Sequence, residues 1–119
     1  MVRIKAPGSK SMHAEMRAAA AVSNPYLTAA GTLACGILGL KEKRKLGAQS
    51  DGPSENDSSL PPFPKSLDEA LDLLNADKAL CDLLGEEFVD VFTTVKRYEL
   101  SRFHDLVSQW ESDEYLDLY

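Results

Sequence analysis

The chain has 119 residues, 44% of them apolar and 27% charged, a composition that suits one soluble domain. No segment reaches the roughly 20 consecutive apolar residues of a membrane helix, and the first residues lack the apolar core of a secretory signal, so we expect a cytoplasmic protein without a membrane partner. Although residues 1–47 carry eight Lys or Arg against two Asp or Glu, the basic run at 41–45 follows a predicted helix end and offsets its dipole, so we expect no nucleic-acid partner.

Residues 1–23 are predicted to form a short β-hairpin. Two candidate strands, around residues 2–4 and 13–17, are separated by a segment that contains Pro and Gly. Because side chains alternate along a strand, His13, Glu15 and Arg17 should lie on one face. From spacing alone, Glu15 beside Arg17 is either an arrangement for chemistry or an exposed surface pair, and the surface pair is favoured.

Residues 24–40 are predicted to form a helix rich in small side chains. Asn24 can cap its free amides, and Pro25 is favoured at the first helical position. Because Gly31 and Gly36 lower its intrinsic helicity, we expect this helix to need neighbouring protein. Residues 41–65 are rich in Gly, Ser, Asn, Asp and Pro without apolar periodicity, which predicts a flexible loop.

Residues 66–119 are predicted to form the C-terminal helices. Ser66 and Glu69 match a capping box, and Asp77 can cap a second short helix that Gly85 ends. Apolar residues then recur at helical spacing from about 86 to 107, which predicts a long amphipathic helix whose stripe builds most of the core. The stripe consists of Phe88, Val91, Phe92, Val95, Tyr98, Phe103 and Leu106.

A last capping box, Ser108 with Glu111, predicts a final helix at the end of the chain. Its large apolar side chains are expected to pack, namely Trp110, Tyr115, Leu116 and Tyr119. The predicted fold class is therefore mainly α with a short N-terminal β-hairpin.

Three motifs occur in an order that resembles the C-terminal part of glutamine synthetases. That family shows Arg-Ile/Val-Pro, then Glu-x-Arg, then Asn-Pro-Tyr-Leu. This chain has Val2-Arg3-Ile4, Glu15-Met16-Arg17 and Asn24-Pro25-Tyr26-Leu27. Its ending, with Arg102-Phe103-His104-Asp105 and Trp110-Glu111, is similar as well, so the resemblance covers nearly all residues. It implies a C-terminal fragment of the α+β catalytic domain, spanning residues 1–119.

The resemblance implies roles for three residues. In the family, the Glu of Glu-x-Arg ligates one of two divalent metals, which makes Glu15 a metal residue here. Arg17 would contact the substrate glutamate and the phosphoryl group in transfer, and Arg3 would bind the phosphates of ATP. A carboxylate oxygen suits Mg²⁺ or Mn²⁺, and guanidinium groups suit phosphate. The implied substrates are glutamate, ammonia and ATP, and the implied assembly is a homo-oligomeric ring.

Two departures from the family pattern keep a second function open. His13 stands where the family usually has Arg, and residues 18–21 are all Ala where an Asp usually precedes Asn-Pro-Tyr. The alternative is a non-catalytic structural protein like lengsin, the eye-lens branch of the family. A polyamine in place of ammonia is also open, as is a free-standing helical interaction module whose motifs match by chance.

The chain alone is expected to be inactive and to bind none of these cofactors. In the family, the other metal carboxylates, the metal His, the glutamate-binding loop and the β-grasp domain lie upstream of these motifs. Glu15 by itself cannot hold two metal ions. The complete protein would form a γ-glutamyl phosphate from glutamate and ATP and displace its phosphate with ammonia.

Overall fold

The computed structural model describes residues 2–47, 60–116 and 118, which fall into two compact units, Met1–Phe63 and Pro64–Tyr119. Within the described residues, a two-stranded antiparallel hairpin is followed by five helices. The predicted fold class, mainly α with a short N-terminal hairpin, is confirmed. None of the helices in this described part has both the length and the apolar character to cross a membrane.

The hairpin consists of β1 (Val2–Lys5) and β2 (His13–Met16), with Arg3 directly opposite Glu15. The connecting loop turns through two residues with positive φ, Ala6 at 47° and Gly8 at 77°. Gly adopts this conformation without steric cost, whereas Ala6 carries a Cβ and is strained there. The register of the hairpin places Arg3 beside Glu15, and Lys5 beside His13.

Helix α1 (Pro25–Lys41) begins where its cap predicts and ends one residue beyond the predicted Leu40. The side-chain oxygen of Asn24 accepts hydrogen bonds from the backbone N–H groups of Tyr26 and Leu27, at 2.9 and 3.3 Å. Within the described residues of the first unit, Ala34 alone is buried. The predicted flexible segment 41–65 lies outside the described residues between 48 and 59.

The second unit contains α2 (Leu67–Ala76), α3 (Lys78–Leu84), α4 (Glu86–His104) and α5 (Gln109–Tyr115). Ser66 caps α2, and Asp77 caps α3 through the N–H of Leu80 at 3.0 Å. A small core forms where α2 and α3 meet α4. Its buried members are Leu71, Cys81, Val89 and Thr93.

The prediction that the apolar stripe of α4 builds most of the core is wrong for the described residues. Phe88, Val91, Val95, Tyr98 and Phe103 are all exposed, Phe103 by 68%. The helix instead buries the narrow face of Val89 and Thr93 against α2 and α3, because those two helices are short and can cover one face only. The helix also ends at His104, so Leu106 lies beyond it rather than within the predicted 86–107.

The expected packing of the last helix is also wrong for its described residues. The capping box is present, since Ser108 and Glu111 exchange both hydrogen bonds. Trp110, Tyr115 and Leu116 are nevertheless exposed, and the rings of Trp110 and Tyr115 contact each other edge to face with centroids 6.0 Å apart. Within the described part of the chain, a seven-residue helix has no larger surface against which to bury them. Tyr119 lies outside the described residues.

Candidate functional site

The hairpin brings together the three residues expected to carry chemistry. Glu15 Oε2 lies 3.9 Å from Arg3 Nη1 across the strands and 3.8 Å from Nη1 of Arg17, the residue that follows β2. Cross-strand pairing places Arg3 opposite Glu15, and the two-residue spacing places Arg17 on the same side as Glu15. One carboxylate oxygen therefore faces two guanidinium groups.

A fourth side chain, His13, joins this cluster. From the sequence it was expected on the polar face of the strand, at a position where the family usually has Arg, and no binding role was predicted for it. Its Nε2 lies 3.7 Å from Glu15 Oε1, the oxygen that the two guanidinium contacts do not involve. Its Nδ1 lies 2.8 Å from the backbone carbonyl oxygen of Ser11. Because a carbonyl can only accept, Nδ1 carries the hydrogen and donates it. The loop thus fixes the orientation of the ring.

Glu15 is the centre of the cluster and its least exposed member. Its side chain is 34% exposed, against 51% for Arg3, 47% for Arg17 and 59% for His13. The contacts of 3.7 to 3.9 Å are longer than charge-assisted hydrogen bonds, so they are electrostatic attractions rather than locked pairs. Exposed ion pairs of this kind contribute at most about 1 kcal/mol each. The carboxylate is therefore oriented but free to exchange partners.

The chemistry of this cluster fits part of a metal and phosphate site. A carboxylate oxygen is a hard ligand for a divalent cation, and guanidinium groups bind phosphate or carboxylate oxygens. Among residues 2–47, 60–116 and 118, however, no group of three or more His, Cys, Asp or Glu side chains converges as a complete metal site would require. Within these residues, the hairpin therefore offers one carboxylate and one imidazole as possible metal-binding groups, beside two guanidinium groups.

The ion pairs of the helical unit have a structural explanation. Arg97 on α4 donates to Asp68 at 3.2 Å and to Asp72 at 2.6 Å, which ties α4 to α2. Hydrogen bonds from the backbone and the side chain of Ser108 hold the pKa of Glu111 below its usual range, as expected of a capping carboxylate. These groups stabilise helices within the second unit.

Comparison with known proteins identifies relatives along nearly the whole chain. The family model described as glutamine synthetase, catalytic domain, matches residues 1–115. A protein named type-1 glutamine synthetase 2, from Dictyostelium discoideum, is 33% identical over 117 residues, covering 93% of this chain and 22% of that protein. Lengsin of Rattus norvegicus is 34% identical over 100 residues, covering 83% of this chain and 18% of lengsin.

An archaeal protein shows the same relation. The glutamine synthetase of Methanococcus maripaludis is 31% identical over 126 residues, covering 99% of this chain and 28% of that protein. The chain therefore spans between 18% and 28% of the length of these three relatives.

Proposed function

Because the chain belongs to the glutamine synthetase catalytic-domain family, we propose that it forms the C-terminal portion of a protein that ligates ammonia to glutamate at the expense of ATP. The observation that carries this proposal is the convergence of Arg3, Glu15 and Arg17 on the hairpin. The family resemblance names these three residues as functional, and they meet around one carboxylate. A scattered placement would have given the proposal no support.

Each of the three side chains has a role that its chemistry suits. Glu15 would turn a carboxylate oxygen toward a divalent metal, Mg²⁺ or Mn²⁺, which supplies positive charge against the phosphates of ATP. Arg3 would hold ATP phosphate oxygens, and Arg17 would neutralise charge on glutamate and on the phosphoryl group in transfer. Since the present contacts with Glu15 are loose, both guanidinium groups can exchange that carboxylate for substrate oxygens without losing a strong pair.

The chain by itself is proposed to be inactive. It covers 22% of the Dictyostelium relative, and the described residues contain no cluster of three metal ligands. The remaining ligands and the rest of the substrate site would come from other parts of a complete protein and, in a homo-oligomeric ring, from an adjacent subunit. A cytoplasmic setting belongs to the same proposal.

A second candidate function is a structural protein that keeps this fold without the chemistry. The match to lengsin, at 34% identity over 83% of this chain, favours it. So do His13, where the family usually has Arg, and the four Ala of residues 18–21. A structural protein would retain the helices and the assembly while its site residues drift.

A chimeric enzyme distinguishes the two functions. The matching segment of the Dictyostelium type-1 glutamine synthetase 2 would be replaced with this chain, and γ-glutamyl hydroxamate formation from glutamate, ATP and hydroxylamine would be measured against the unaltered enzyme. If the chimera is active, loses that activity in Arg17→Lys and keeps it in the control variant Arg44→Lys, the ligase function is supported. A chimera that assembles like the parent yet stays inactive, and recovers only with His13→Arg, supports the structural protein.

The amine substrate is tested with the same chimera. Ammonia and a diamine such as putrescine would be offered separately, and the product identified by mass. We expect glutamine from ammonia and no product from the diamine. A γ-glutamyl diamine formed in preference to glutamine would contradict the proposed substrate while leaving the ATP-dependent ligation in place.

A further inference from the structure

His13 is the member of the hairpin cluster whose position departs from the family pattern, and its ring is oriented by the loop. The Nδ1–H group donates to the Ser11 carbonyl oxygen at 2.8 Å, so the lone pair of the neutral ring lies on Nε2. That nitrogen faces Glu15 Oε1 at 3.7 Å. Histidines that ligate metals almost always donate their other ring N–H to a carbonyl or a carboxylate, which fixes the tautomer and the orientation. His13 already has this arrangement.

The two oxygens of Glu15 face different neighbours. Arg3 and Arg17 both contact Oε2, at 3.9 and 3.8 Å, whereas the imidazole contacts Oε1. A cation that approached Oε2 would meet two guanidinium charges, so the Oε1 side is electrostatically the easier approach. The His13 side chain is 59% exposed, which leaves that approach open to solvent.

The separation of the two donor atoms suits a shared ion. Metal bonds of about 2.1 Å at angles of roughly 90 to 120° separate two donors by about 3.0 to 3.6 Å. The 3.7 Å between Nε2 and Oε1 exceeds this range by so little that a small side-chain rotation closes it.

We infer that His13 Nε2 and Glu15 Oε1 are two ligands of a single divalent metal ion. His13 is then a metal ligand at the position where the family usually has Arg. This inference rests on the metal role of Glu15 in the proposed function, adds the second ligand, and replaces the expectation that the chain alone binds no metal ion. Because imidazole binds first-row transition ions better than Mg²⁺, the site prefers Mn²⁺ to Mg²⁺.

The test uses Mn²⁺ and the full chain labelled with ¹⁵N at histidine. The sequence contains two histidines, so His104 serves as an internal control. Paramagnetic broadening detects an ion bound to a small fraction of molecules, which suits a site with two ligands. We expect the His13 ring signals to broaden at Mn²⁺ concentrations that leave those of His104 unchanged, and an equal concentration of Mg²⁺ not to reverse this. Equal broadening of both rings, or none, would overturn the inference.

Two substitutions separate this inference from the proposed function, with Mn²⁺ affinity measured from the electron paramagnetic resonance of the free ion. We expect His13→Gln and Glu15→Gln each to lower affinity at least about tenfold, since even an outer-shell partner is commonly worth 10- to 100-fold, while His104→Gln changes nothing. Loss in Glu15→Gln but not in His13→Gln would overturn the inference and leave the metal role of Glu15 intact. If neither variant loses Mn²⁺ affinity, both this inference and the proposed metal role of Glu15 are wrong.

Because His13 is exposed, its replacement is expected to leave the hairpin folded. The hairpin pairing is reported by nuclear Overhauser effects between the backbones of β1 and β2, which should persist in His13→Gln. A second variant, His13→Arg, keeps a long polar side chain at the position but offers no lone pair. It should lose Mn²⁺ binding as His13→Gln does, and retained binding in His13→Arg would contradict ligation by the ring.

Discussion

The two units of the chain divide chemistry and packing between them. The first unit gathers Arg3, His13, Glu15 and Arg17 around one carboxylate, yet among its described residues only Ala34 is buried. The second has a core and capped helices, and its charged pairs serve to hold helices together. The residues proposed for the site therefore lie in one unit, and most of the buried residues lie in the other.

The largest expected effect is in the core of the helical unit. Leu71 on α2 is 2% exposed, whereas Leu73 on the same helix is 55% exposed. Leu71→Ala should therefore lower the free energy of unfolding by about 2 to 4 kcal/mol, because burial is lost and a cavity is left. The measurement is amide hydrogen exchange along α2 and α4. The matched control Leu73→Ala should change it by less than about 1 kcal/mol, and equal effects would contradict the assigned core.

A smaller effect is expected from the link between α2 and α4. Arg97 donates to both Asp68 and Asp72, while its neighbour Lys96 pairs only with Glu99 within α4. Arg97→Ala should cost about 1 kcal/mol of stability and Lys96→Ala about 0.3 kcal/mol. Urea titration of the helical signal compares the two. If Lys96→Ala were the more damaging, the role of Arg97 in joining the helices would be wrong.

The smallest effect is a pH dependence at the start of α5. The pKa of Glu111 is lowered by its hydrogen bonds with Ser108, so the charged carboxylate is favoured in the folded state. The stabilisation is complete above the ordinary pKa of a Glu and is lost as the pH falls through the lower, folded value. NMR titration of the α5 amides should show this loosening under acid. Glu111→Gln should remove the dependence, and an unchanged acid response in that variant would contradict the assignment.

Local signals in the sequence were sufficient to predict where most helices begin. Asn24, Ser66, Asp77 and Ser108 each accept the capping hydrogen bonds that their positions predict. A cap depends on a few neighbouring residues, so a single sequence contains the needed information. The mainly α fold with a hairpin followed from these starts and from the periodicity between them.

The face that α4 buries could not be predicted in the same way. Periodicity identified the aromatic stripe of α4, but Val89 and Thr93 are buried instead, because the short helices α2 and α3 cover only that face. Likewise, the orientation of His13 depends on a loop whose Ala6 and Gly8 have positive φ, and no spacing rule specifies that. Contacts made between elements decide both features.

The candidate site was predicted largely through the family resemblance. Spacing alone favoured a surface pair for Glu15 and Arg17, and only the motif order singled out Arg3 as their partner. The register of the hairpin then placed Arg3 opposite Glu15. The roles of these residues stay proposals, since each depends on ligands and substrate groups that the described residues do not provide.

The most direct test of the central claim is the activity of the chimera with one carboxylate changed. Glu15→Gln should abolish γ-glutamyl hydroxamate formation, because the amide keeps the shape of the side chain but lacks the charge needed to hold a divalent metal. Glu42→Gln is the matched control, since Glu42 pairs with Arg44 beyond the end of α1 and has no proposed role. We expect loss of activity in the first variant and full activity in the second. Undiminished turnover in Glu15→Gln would contradict the metal role of Glu15.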